Sequence, residues 1–254
     1  MTTPVSIHNS LSELKQTPDL VRKLGLQQKM FRKDGESLPY CQYVCGASQS
    51  GRPALLIFLH GIGSVGEDNF LQVRIPAPPL TDYCRRHHLK AVLLFPQCPK
   101  GSQWVDVPWN TMEHTMPEEP SRPMRLAMAL LNEKIREFDA DPARIAGAGI
   151  SMGGYGIWDM ACRMPHLFTS LAVLCGGADV HQAPKLAAMR IFMIHGDEDP
   201  AVPVHRARSM YRALKEAGCK YLIYRELPGV EHNVWDPFFQ SDEGMDHLFF
   251  SGRS

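Results

Sequence analysis

The 254-residue sequence predicts an α/β fold with a mainly parallel central sheet, helices on both faces and an antiparallel N-terminal edge. Three observations predict it. Short apolar runs bounded by turn residues recur along the chain, stretches with helical spacing lie between them, and no repeat or Gly/Ser-rich linker divides the whole. Residues 1–254 are therefore read as one domain.

In chain order, residues 27–33 and 40–45 flank Asp34-Gly35, a hairpin signal that places an antiparallel pair at the edge of the sheet. The runs 54–59, 91–95, 144–149, 170–175, 191–194 and 221–226 are short and apolar or β-prone, as buried strands are. Helical spacing marks 80–88, 124–138, 152–164 and 204–217. Alternation of the two implies right-handed crossovers and helices covering both faces. Residues 96–123 differ, with six prolines, two tryptophans and little sustained period. They predict a long loop at the carboxyl end of a strand, where α/β folds place ligands. Residues 1–26 precede the pattern and are expected to pack on a partner or over the edge of their own sheet; monomer and homo-oligomer both stay open.

Composition removes several function classes. Lys+Arg and Asp+Glu are both 27, so no net basic charge draws in nucleic acid or an anionic membrane, and a small-molecule substrate is expected. Met1 to Ser10 lack a basic region followed by an apolar core, and no apolar run approaches the ~18 residues of a bilayer span. A soluble, cytoplasmic protein is expected. The seven cysteines are odd in number and irregularly spaced, as free thiols are; Cys98 and Cys175 end apolar runs, where cysteine acts as a small hydrophobe. No H-E-x-x-H, paired C-x-x-C, calcium-loop or phosphate-loop pattern is present, so neither a metal nor a nucleotide cofactor is expected.

Chemistry concentrates at Gly149-Ile150-Ser151-Met152-Gly153, which has the form G-x-S-x-G between a strand-like run and a helical one. In that context the serine occupies a sharp strand-to-helix turn, and glycines two residues to either side relieve the crowding. Ser151 is the candidate nucleophile, standing near a helix N-terminus that favours a developing anion. A serine hydroxyl needs a base and a group that orients the base. Asp197, Glu198 and Asp199 all follow the run 191–194; Asp199 is favoured, immediately before Pro200-Ala201-Val202-Pro203, with Asp197 second. His195, beside the strand, reads as structural. His232 follows the run 221–226, completing the order Ser151, Asp199, His232 of an α/β-hydrolase. Oxyanion donors are expected from the backbone N–H groups of Met152 and of Ile62 in His60-Gly61-Ile62-Gly63.

From about Ala54 to Asp236 the chain resembles the α/β-hydrolase group of bacterial carboxylesterases that includes dienelactone-hydrolase-like, phospholipase/carboxylesterase-like and predicted-peptidase members. The residues that carry the resemblance are Leu59 to Gly63 with Gly66-Glu67-Asp68-Asn69, Phe95 to Pro99 with Trp104, and Ile150 to Gly156. His195 to Asp199 with Val202-Pro203, and Gly229 to Trp235, complete it. It implies Asp199 as the acid and Ile62 and Met152 as oxyanion donors. It also implies a substrate wall at Gln97, Trp104 and Trp109. Dienelactone hydrolases themselves use cysteine where this chain has Ser151, so their substrate does not transfer. The expected function is a serine carboxylesterase acting on small esters through an acyl-enzyme. A peptidase or amidase with the same residues is the second expectation, and a non-catalytic ligand-binding module the third.

Overall fold

Residues 19–249 are described in the computed structural model. A short helix, α1 (Leu20–Leu24), leads into a hairpin of β1 (Gln27–Lys33) and β2 (Glu36–Cys45). Asp34 and Gly35 form its turn with φ of 50° and 77°, the pair of left-handed residues that a tight turn between twisted strands requires. The chain continues through β3 (Ala54–Leu59), α2 (Ala77–Arg86), β4 (Ala91–Pro96) and α3 (Arg122–Glu137). After these come β5 (Ile145–Ile150), α4 (Met152–Arg163), β6 (Ser170–Leu174) and α5 (Ala183–Leu186). The last elements are β7 (Arg190–Gly196), α6 (His205–Glu216), β8 (Leu222–Leu227), α7 (Trp235–Gln240) and α8 (Asp242–Phe249).

All eight strands join one sheet in the order β1-β2-β4-β3-β5-β6-β7-β8. The pairs β1/β2 and β2/β4 are antiparallel and the others parallel, as the sequence pattern predicts. From β3 the chain steps outward to β4, then returns across β3 to β5. The connections leaving β3 and β5 therefore diverge, and a crevice opens between the carboxyl ends of these two strands. Pairing of Leu59 with Gly149 brings those ends level.

Side-chain alternation builds a core on each face. On β3, Leu55, Ile57 and Leu59 join Leu130 of α3 and Ile157 of α4, while Leu56 and Phe58 join Leu80 of α2 and Leu248 of α8. Predicted helix boundaries shift where prolines decide. The helix expected at 80–88 begins at Ala77, because Pro78 and Pro79 fall in its first turn, where a missing N–H loses no bond. It stops before His88, at φ 49°.

Elements the sequence pattern left unassigned also form. Helix α1 packs on α2 and β1, while α8 packs on β6, where Ser170 Oγ donates to Leu248 O at 2.9 Å. The readings for Met1 to Ser10 and most of 1–26 lie outside the described residues. No helix among the described residues is long and apolar enough to cross a membrane. The expected loop at 96–123 runs without regular structure from Gln97 to Ser121, yet it is packed. Ser121 Oγ donates to Trp104 O at 2.7 Å, and Arg163 Nη2 to Pro117 O at 2.7 Å.

Leu56 and Ile57 sample the two cores from one strand, and both are fully buried. Leu56→Ala and Ile57→Ala are each expected to lower unfolding free energy by about 2–5 kcal/mol, read from chemical denaturation. A loss confined to one variant would mean that one face contributes little to the core.

Candidate active site

Ser151 sits between β5 and α4 at φ 55° and ψ −118°. The strand must turn into the helix within one residue, so the backbone on either side comes close to itself. A Cβ on Gly149 would collide with the Gly153 carbonyl, and one on Gly153 with the carbonyls of Leu59 and His60. Glycine is therefore obligatory at both positions. Ser151 N donates to Leu174 O at 2.8 Å and Ser151 O accepts from Tyr155 N at 3.1 Å, which ties the turn to β6 and to its own helix.

Asp199 lies on the loop after β7. Its Oδ1 accepts from Ala201 N at 2.8 Å and Val202 N at 2.9 Å; its Oδ2 lies 2.7 Å from His232 Nδ1 and 3.3 Å from His195 Nε2. Burial alone would raise its pKa. The hydrogen bonds from His195, His232 and Val202 outweigh that and hold the carboxyl well below the usual carboxylate range. With Asp199 ionised, His232 Nδ1 carries the proton and donates it. His232 Nε2 is then an acceptor, 2.9 Å from Ser151 Oγ. The three residues thus form one hydrogen-bonded run, assembled from the ends of β5, β7 and β8.

Asp197, the other carboxylate weighed for this position, turns elsewhere. Its Oδ1 accepts from Gly229 N at 2.7 Å and so braces the loop that carries His232. His195 is fully buried, and its Nε2 donates to Val202 O at 2.9 Å. It clamps the Asp199 loop from beneath, in keeping with a structural role.

Facing Ser151 is the turn after β3. Gly61 packs on the serine, where a Cβ at Gly61 would stand 3.5 Å from that of Ser151. Ile62 opens a short 3₁₀ turn, Ile62–Ser64, and Met152 opens α4. Groups at such positions have no acceptor within their own helix. The turn is fixed from behind by His60, whose Nε2 accepts from Cys98 N at 2.9 Å while Nδ1 donates to Gly61 O at 2.7 Å. The backbone N–H of Cys98 leaves no room for a proton on Nε2. Burial pushes the His60 pKa down to about 4, and the ring is neutral.

A cleft of about 280 Å³ opens onto Ser151 and His232. Phe58, Ile62, Leu71, Ile75, Ile150 and Trp235 give it a largely apolar lining. The wall expected at Gln97, Trp104 and Trp109 is not here, since none of the three lines this cleft. Gln97 and Trp104 are fully buried behind the 60–64 turn: Trp104 Nε1 donates to His60 O at 3.0 Å and Gln97 Nε2 to Ser64 O at 3.2 Å. Trp109 O accepts from Tyr155 Oη of α4 at 3.0 Å. Leu71, Gln72, Arg74, Ile75, Pro76 and Trp235 line it instead; their one sequence signal is Trp235 following His232 by three residues. Among the described residues, Cys175, Asp199 and His232 are the one set of three potential ligand atoms within 4.8 Å. Two of these are already bonded to each other, and burial pushes the Cys175 thiol far above its usual range, which keeps it protonated.

The sheet order, the serine turn and the positions of Asp199 and His232 define an α/β-hydrolase. The profile of the phospholipase/carboxylesterase family matches residues 41–243, and the chain belongs to that family. A thermostable esterase of known structure superposes with a TM-score of 0.79 at 29% identity, covering 88% of this chain and 62% of its own. The carboxylesterase from Mesorhizobium loti gives 0.58 at 19%, covering 80% and 91%, a likeness of fold alone. Esterase LipQ of Mycobacterium tuberculosis is 42% identical over 41 residues, which is 16% of this chain and 10% of that protein. The chain therefore spans less than two thirds of the thermostable esterase and a tenth of LipQ.

Acid should reveal the buried histidines. His60 and His247 are each pushed down to about 4 by burial, whereas an unfolded histidine titrates near 6.5. Between those values the unfolded chain binds protons that the folded chain refuses. The stability they contribute is complete above pH 6.5 and is lost as pH falls toward 4, at about 1.4 kcal/mol per pH unit for each ring. Denaturant midpoints measured from pH 7 to 4.5 should fall accordingly; a flat profile would show that the rings are charged in the fold.

Proposed function

We propose that the chain is a serine carboxylesterase that hydrolyses small carboxylic esters through Ser151, His232 and Asp199. The observation that carries this is the continuous run from Ser151 Oγ through His232 to an ionised Asp199, opening on an apolar cleft. His232 Nε2 takes the Ser151 proton as Oγ attacks the ester carbonyl, and Asp199 holds the ring in the tautomer that can accept it. The alkoxide of the tetrahedral adduct forms in front of the N–H groups of Ile62 and Met152, donors of a kind worth about 3–4 kcal/mol each. His232 then protonates the departing alcohol. Water, deprotonated by the same nitrogen, releases the acid from Ser151.

A small ester fits, because the cleft holds about 280 Å³ and, Arg74 aside, its lining offers carbon more than polar atoms. An acyl chain lying on Phe58, Ile75 and Trp235 would lose its hydration there, at about 25 cal/mol per Å² buried.

Chromogenic esters from acetate to octanoate, with matching anilides, test this against the Ser151→Ala variant. Ester turnover that disappears in the variant is expected, with kcat falling by about 10⁴-fold or more for Ser151→Ala and His232→Ala alike, because the residues act as a unit. Anilides cleaved in preference to esters would shift the assignment to an amidase. A folded wild-type protein that neither turns over esters nor takes a fluorophosphonate label on Ser151 would overturn the proposal.

The acid is tested separately. Asp199→Asn should lose about 10⁴-fold in kcat by favouring the wrong His232 tautomer. Asp197→Asn should lose far less, since it only loosens the loop around Gly229. The reverse ranking would move the acid to Asp197.

A further inference from the structure

The cleft residues Leu71 to Pro76 lie on the loop after β3, and two residues before them Asn69 stands at φ 53°. Asparagine visits this left-handed conformation more readily than most residues, but glycine does so at lower cost. The backbone alone therefore does not call for the side chain.

That side chain is bonded at both ends. Nδ2 donates to Lys29 O at 2.9 Å and to Tyr40 O at 3.1 Å, the carbonyls of two residues paired across β1 and β2. A carbonyl only accepts, so the amide can be turned only this way. Oδ1 is then an acceptor, and it takes Gln72 Nε2 at 2.7 Å. Gln72 is buried and lines the cleft with Leu71. Asn69 itself does not line it.

Backbone atoms of Asn69 are held independently. Its O accepts from Gln28 Nε2 at 3.0 Å and from the Cys41 thiol at 3.2 Å, which burial keeps protonated by pushing its pKa up to about 12. Its N donates to Gln97 Oε1 at 2.7 Å, and Gln97 Nε2 donates in turn to Ser64 O of the 60–64 turn. Two connections thus diverge from one residue. The main chain leads through Gln97 to the turn that faces Ser151, while the side chain ties the cleft residue Gln72 to the β1/β2 hairpin. Asp68 frames the same segment, with Oδ1 accepting from Phe70 N at 2.7 Å and Leu71 N at 2.9 Å.

We infer that Asn69 is a positioning residue that fixes the 71–76 side of the cleft relative to Ser151 and so selects longer acyl chains. The inference rests on the esterase reading above. An acyl chain gains from burial only where the lining stands close enough to exclude water. With Asn69 in place, the segment from Leu71 is anchored to the sheet edge through Gln72. Without its side chain that anchor is gone, and a long chain loses contact. A short acyl group buries little there in either case.

Kinetics on 4-nitrophenyl acetate, butanoate and hexanoate test this in the full chain with Asn69→Gly and Asn69→Asp. The first keeps the φ of 53° and the bonds of the main chain, and removes only the side-chain anchor. The second keeps the shape but cannot donate to Lys29 O and Tyr40 O. In both, KM for hexanoate should rise about tenfold, the discrimination that about one methylene of fit carries. The change should sit in KM, with kcat on acetate retained, because Gln97 still holds the 60–64 turn. A residue serving only as a left-handed spacer or a stability contact would move Tm and leave the hexanoate-to-acetate ratio of kcat/KM as in the wild type. That result in either folded variant overturns the inference, as does a proportionate loss on every ester. If Asn69→Asp does not fold, Asn69→Gly decides alone, since its backbone matches the site. A wild type with no Ser151-dependent turnover fails the esterase reading and takes the inference with it, whereas an active wild type with an unchanged ratio in the variants fails the inference alone.

Discussion

Ser151 is held at φ 55° and ψ −118°, a conformation that costs an L-residue about 1–3 kcal/mol and persists only where its surroundings over-determine it. Those surroundings are the parallel core of the sheet. Ser151 N is fixed to the end of β6, Leu59 pairs with Gly149, and Gly153 lies so close to the carbonyls of Leu59 and His60 that no side chain fits between them. One strained residue therefore locks three strands and a helix into a single arrangement. The same contact places the turn after β3 against the serine, which is where an anion forming on an attacked carbonyl would need its donors.

Histidine occurs at this site in three environments, and each environment assigns a different task. His60 is buried and neutral, with Nε2 filled by Cys98 N and Nδ1 by Gly61 O, so it is a spacer that cannot titrate at neutral pH. His195 is buried beneath Asp199 and shares its Nε2 proton with Val202 O. It helps keep that carboxylate ionised and pointed. Of the three, His232 alone bonds Ser151, bridging it to Asp199 at the cleft. A charge on the covered carboxylate of Asp199 is tolerable because two backbone N–H groups and two imidazoles surround it, which is the condition under which such a carboxylate stays below its usual pKa.

Much of this was legible in the sequence, and the illegible parts share a cause. Strands β3 to β8 and the residues Ser151, Asp199 and His232 were marked by local features: apolar runs, a glycine-framed serine, and an acid and a histidine each just past a strand. Strand β2 begins at Glu36 rather than at residue 40, because Pro39 reads as a strand breaker and β4 joins β2 only from Tyr40 onward. Helices α7 and α8 contain Pro237 and Gly244, which blur helical spacing. Their helicity comes from burying Phe238, Met245, Leu248 and Phe249 on the sheet. The cleft wall was missed for a similar reason, since residues 71–76 and Trp235 meet only through the fold.

The misplaced wall alters how the 96–123 loop contributes. A loop at the carboxyl end of β4 was expected to touch substrate, but Gln97, Cys98 and Trp104 all bond to the 60–64 turn from behind. Through these bonds the loop fixes the position of Ile62 relative to Ser151 while presenting none of those three side chains to the cleft. The segment that braces the proposed oxyanion donors is thus distinct from the segments that line the cleft. In the proposed function, a substitution in the wall at 71–76 or at Trp235 would alter the fit of an acyl group and leave the turn in place, whereas one at Trp104 or Gln97 would shift the proposed donors themselves. Placement within about half an ångström is what such donors require, which accounts for a fully buried tryptophan and glutamine at positions that make no contact with the cleft.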